Sequence, residues 1–180
     1  MATTRAAAKP YISLLDADRH DALGLVLSAA LPLAVFVIAN GIAELNGMLP
    51  LFFSPLGLPG WVGGALHLVT LPLFGIARWM VAARGVEGRK AGWWLVGLMG
   101  GTIAMPFLIA PFDSMTLTIL AFALLLVGFG AWARVAKVDG KAALLMAPGI
   151  GWIGFSAFVG LSFAAAWAPP FAVTNSNSAA

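Results

Sequence analysis

Apolar residues in this chain run in long stretches, broken by short clusters of charge, Gly and Pro. Five of these stretches are long enough to cross a bilayer, whose hydrocarbon core of about 30 Å takes roughly 20 helical residues. The pattern predicts spans at about 22–42, 61–83, 91–111, 115–133 and 142–168. Backbone groups in hydrocarbon must be satisfied within the segment, so the spans are helices. No polar and apolar alternation suggests a barrel. The expected fold is therefore all-α: a polytopic membrane protein built as a five-helix transmembrane bundle. Residues 1–21 form an N-terminal extension, 43–60 an outer loop and 169–180 a short polar tail.

Charge supports this parse. Arg5, Lys9 and Arg19 precede the first span; Arg78, Arg84, Arg89 and Lys90 surround the second link; Arg134, Lys137 and Lys141 lie at the fourth. Five spans place all ten basic residues on one side, with only Glu44 and Asp113 opposite. The positive-inside rule then sets the N-terminus in the cytoplasm and the C-terminus outside, which suits a bacterial inner membrane. Trp61, Trp79, Trp93, Trp94, Trp132 and Trp167 fall near span ends, where an amphipathic indole prefers the headgroup level. Arg78, about a turn inside, can snorkel. The mixed charge of Asp16, Asp18, Arg19, His20 and Asp21 reads against a secretory signal.

Composition narrows the chemistry. At 61% hydrophobic and 9% charged, with a mean hydropathy of +0.96, the chain has too few charges for an ordinary soluble enzyme or a disordered tail. Its basic residues form no dense patch, so nucleic acid is not an expected partner. With no Cys and two His, disulfide, thiolate and multi-histidine metal chemistry are excluded. The spans hold no Asp, Glu or Lys, which argues against a proton pump, an ion channel and an intramembrane protease.

Four features remain. His67 follows Gly63 and Gly64 at helical spacing, so an imidazole stands over a flat, shallow niche. Such a niche suits a tetrapyrrole, with His67 as its contact or the axial ligand of its metal. Ordinary interhelical packing and hydrogen bonding explain the same residues. In the fifth span Trp152, Ser156, Gly160 and Ala164 recur every four residues, a mid-membrane ring above a column of small residues. They form either an aromatic wall over a groove or a packing seam. Gly97 and Gly101 give a GxxxG spacing that suits a dimer seam, and Pro106 predicts a kink. The loop LNGMLPLFFSPLGLPG, apolar and proline-rich, folds over the outer end as a plug or a lid.

Pro59-Gly60-Trp61-Val62 after this loop, and Asp139, Pro148 and Trp152 at their spacing, resemble the TspO/MBR family of translocator and tryptophan-rich sensory proteins. Pro106 also fits. The family's pocket Trp in helix two falls on His67, its pocket Asn in helix three on Gly101, and its Leu-Asn pair in helix five on Val159-Gly160. The resemblance covers about 22–168, mostly by hydrophobicity. It implies a homodimeric receptor or carrier for haem, porphyrin, chlorin or a sterol-like molecule in a pocket beneath the first loop. The site residues expected on this basis and from the spacings are His67, Trp152, Ser156, Gly63, Gly64, Gly101, Gly160 and Trp61, with no catalytic group. The alternative is a non-enzymatic subunit docked against a larger complex, such as a pigment–protein assembly, with the ligand chemistry lost. Light-driven porphyrin degradation is a third reading, weakened by the missing helix-two Trp.

Overall fold

The computed structural model describes residues 21–53, 58–109 and 111–167. The rest of the N-terminal extension, the middle of the outer loop and the polar tail lie outside the described residues. Five helices follow in order: α1 (Ala22–Leu45), α2 (Trp61–Ala82), α3 (Gly85–Leu108), α4 (Ser114–Val138) and α5 (Gly140–Trp167). All five are long and apolar enough to cross a membrane. Two bounds differ most from the hydropathy reading. Helix α3 starts at Gly85 rather than 91, and α4 runs on to Val138 rather than stopping near 133. Hydropathy marks only the apolar slab. Glu87, Arg89 and Lys90, like Arg134 and Lys137, sit on helical turns that continue beyond it.

The acidic residues serve largely as helix caps. Asp21 accepts from Gly24 N–H at 2.7 Å to start α1. Asp113 starts α4, accepting from the Thr116 N–H at 2.9 Å and its hydroxyl at 2.8 Å. Those hydrogen bonds, first the one from the Thr116 backbone, hold the Asp113 carboxyl below its ordinary range. Asp139 accepts from the N–H groups of Lys141 and Ala142 at 2.9 and 3.2 Å and starts α5.

Short links make antiparallel neighbours. Only Ala83 and Arg84 join α2 to α3, and only Asp139 joins α4 to α5. Arg84 and Asp139 form an ion pair at 3.0 Å, which binds the two hairpins together at the basic end of the bundle. The Arg84 side chain is 56% exposed and that of Asp139 12% exposed, so the cap should outweigh the ion pair. Asp139→Ala, which loses both, is expected to cost about 1–2 kcal/mol. Asp139→Asn, which keeps a capping side chain, should cost under about 1 kcal/mol. Unfolding titrations in mixed micelles check the order; equal losses for the two variants would contradict it.

Helices α2, α5, α4 and α3 form a closed ring, each packed on the next, and α1 leans on α2 from outside. The ring's interior holds Leu71, Phe74, Val81, Leu95, Leu98 and Met146, all fully buried. Glycines set the closest approaches. The Phe74 ring lies where a Gly149 side chain would stand, which joins α2 to α5. On the other flank of α2 a Cβ at Gly75 would collide with the Ser28 backbone of α1. Ser28 is four residues before Pro32, so its carbonyl has no helical N–H to meet and rests on Gly75 instead.

Candidate functional site

The opposite end of the bundle gathers the outer loop, α1, α2 and α5 around His67. Helix α2 enters there at Trp61, so His67 lies about 9 Å along the axis from the helix start. The side chain is buried, with the residue 9% exposed. Its Nδ1 lies 2.8 Å from the Gly63 carbonyl. A carbonyl only accepts, so Nδ1 carries the proton and donates it. The Thr102 backbone of α3 lies near the imidazole. Pro106, four residues after Thr102, withholds the N–H that the Thr102 carbonyl would otherwise receive.

Aromatic rings cover the imidazole. Phe36 of α1 stacks on it with centroids 5.6 Å apart and planes 17° from parallel. Phe52 of the outer loop meets it edge-on at 5.4 Å and meets Phe36 at 6.0 Å. The expected niche over Gly63 and Gly64 therefore has an occupant from the chain itself. The Phe53 backbone and Phe52 Cβ sit where a Gly63 side chain would go, and the Phe52 ring lies 3.7 Å from the corresponding point on Gly64. The two glycines exist in this arrangement to let the strap of 48–53 press down on α2. Leu51 N–H donates to the Pro106 carbonyl at 2.9 Å and ties the strap to the end of α3.

Phe53 continues the aromatic path to α5, meeting Trp152 at 6.4 Å. Trp152 also leans on Phe155 at 5.6 Å. The imidazole and the indole thus share one site through the Phe52-Phe53 pair. Ser156 is half-buried one turn further along α5. The other expected residues lie elsewhere. Gly160 faces α4, where its missing side chain leaves room for the Thr118 hydroxyl. Gly101 also faces α4, under the Leu124 side chain. Gly97, one turn earlier on α3, has open space beside it within this chain. Trp61 is 70% exposed at the outer rim.

Phe36, Phe52, Phe53 and Thr102 were absent from the sequence expectation. Phe36 carries no distinguishing signal among the apolar residues of α1. The Phe52-Phe53 pair was visible in the loop, but its register over Gly64 follows from no periodicity. Thr102 was recoverable from Pro106, because a helical proline always frees the carbonyl four residues earlier.

Axial ligation of a metal needs an imidazole nitrogen open in the ring plane. Here Nδ1 donates to Gly63, which leaves Nε2 of the neutral ring as the nitrogen with a lone pair. Among the described residues no group of three His, Asp or Glu side chains comes together to hold a metal ion. What the site offers is flat aromatic surface, a single polar ring and an apolar surround. No family model, curated protein or solved structure matches this chain.

Proposed function

We propose that this membrane protein is a receptor or carrier for a flat, apolar molecule of the tetrapyrrole class, with His67 contacting the macrocycle or its metal. The observation that supports this reading is the layered site itself: Phe36, His67 and Phe52 in mutual ring contact, continued by Phe53 to Trp152. A planar guest that takes the place of the Phe52 ring meets the imidazole and the neighbouring aromatic rings. The strap of 48–53 then acts as a stand-in for the guest in the empty protein. The charge asymmetry supports an orientation with the basic end in the cytoplasm and suits a bacterial inner membrane.

The test is absorbance of the purified protein titrated with haem, protoporphyrin and a magnesium chlorin. His67→Ala is expected to weaken binding of at least one of them by roughly tenfold, the loss of a stacked polar ring. Unchanged spectra and affinities for all three would remove His67 from the function.

A second reading has one observation in its favour. The ground between His67 and Trp152 is already packed by Phe52 and Phe53, as in a protein that uses this end for stability alone. The chain is then a subunit that docks against a larger membrane complex. Gentle extraction followed by size analysis distinguishes the two, since a stoichiometric large complex supports the subunit and a small homo-oligomer supports the receptor.

A further inference from the structure

Arg78 plays no part in the site above, and its surroundings are unusual for a charged residue in a membrane helix. It sits in α2 one turn before Ala82, about 6 Å inside the basic end. Its Cγ lies 3.8 Å from the point where a Gly92 side chain would begin, so the side chain runs along α3 across a residue that leaves it room. The Nε is buried. Among the described residues it is the only buried side-chain nitrogen or oxygen with no hydrogen-bond partner. The residue as a whole is part-buried, so the guanidinium is enclosed along its stem and open at its tip.

Neighbouring charges do not supply an acceptor. Glu87 is bound to Lys90 at 2.8 Å, Asp139 to Arg84 and the start of α5, and Asp21 to Gly24 N–H. Arg134 lies over the Trp94 ring at 4.1 Å and donates to the Gly130 carbonyl. Seven basic residues and three acidic ones are described at this end, so positive charge is left over around a guanidinium with an unmet donor. A buried, unsatisfied donor on a cation calls for an oxyanion.

We propose that the cleft between α2 and α3 at Arg78 binds a phosphate oxygen, and that its source is the headgroup of an anionic phospholipid. Depth selects the lipid over a free anion. Trp93, exposed on α3 next to the Gly92 that Arg78 crosses, sets the level, since an indole prefers the headgroup region. Arg89, Lys137 and Lys141 supply the surplus charge that favours an anionic over a zwitterionic headgroup. Arg78 contributes what a lysine cannot, a planar fork of several N–H donors.

The experiment is native mass spectrometry of the whole chain released from bilayers of mixed phosphatidylglycerol and phosphatidylcholine. The wild type is expected to retain phosphatidylglycerol preferentially, Arg78→Gln to reduce its retention by roughly tenfold, and the control Lys90→Gln to leave it unchanged. If Arg78→Gln does not yield folded protein, Arg78→Lys takes its place, with an expected loss of roughly threefold from removal of the fork alone. Equal retention of the two lipids, or unaltered retention in the folded Arg78 variant, overturns the proposal. A parallel arm adds millimolar inorganic phosphate in zwitterionic detergent. Phosphate that binds at Arg78 without lipid, and displaces phosphatidylglycerol, overturns the lipid as the source.

Discussion

Gly75→Ala is expected to destabilise the bundle by about 2–3 kcal/mol, a large effect for the addition of one methyl group. The new Cβ would collide with the Ser28 carbonyl and the Ala29 Cα of α1. These are backbone atoms, and no side-chain rotation relieves the overlap. The Ser28 carbonyl is fixed there because Pro32 denies it a helical donor. Helix α1 packs closely on α2 alone, so the displaced helix has no second neighbour to hold it. The consequence extends to the site. Phe36 lies eight residues beyond Ser28, and His67 lies eight residues before Gly75. In an antiparallel pair those are the next matched level, so a shift at Gly75 also lifts Phe36 from the imidazole. Unfolding titrations, with the protease sensitivity of α1 as a local readout, check this. Wild-type stability in Gly75→Ala would show that the two helices are not in the close contact described.

Phe52→Ala carries the second large effect, and it has two parts of opposite sign. Removing a half-buried ring that touches Phe36 and His67 and lies on Gly64 should cost about 1–3 kcal/mol of stability, less than for a fully enclosed Phe. The same change vacates the face over the glycines. A receptor whose empty form is occupied by its own side chain binds its guest with an affinity reduced by that occupancy. Phe52→Ala should therefore bind protoporphyrin about tenfold more tightly than the wild type while being the less stable protein. A purely structural role for the strap gives the stability loss with no gain in binding.

Much of this fold was legible because hydrocarbon imposes a blunt rule. Helices α1, α2 and α5 begin within two residues of the hydropathy bounds, since Asp21, Gly60 and Asp139 mark sharp transitions. The start of α3 and the end of α4 were not, because charged turns continue a helix beyond the apolar slab without changing its hydrogen bonding. Among site residues, His67 with Gly63 and Gly64 stood out as a polar ring beside paired glycines, and the structure keeps them together under the strap. Gly101 and Gly160 read the same way in sequence but face α4, because a glycine records only that something comes close and not what. The occupant, Phe52, belongs to an aperiodic loop whose register depends on the Leu51 bond to Pro106.

One titration bears most directly on the receptor account: protoporphyrin added to wild type, Phe52→Ala and the double variant Phe52→Ala with His67→Ala, followed by absorbance. Tighter binding on removal of Phe52, lost again when His67 is removed in that background, is the result expected of a guest that takes the ring's place on the imidazole. Equal affinities in all three proteins, or binding in none, would contradict it and leave the five-helix bundle as a scaffold that uses Phe52 and His67 only to close its own end.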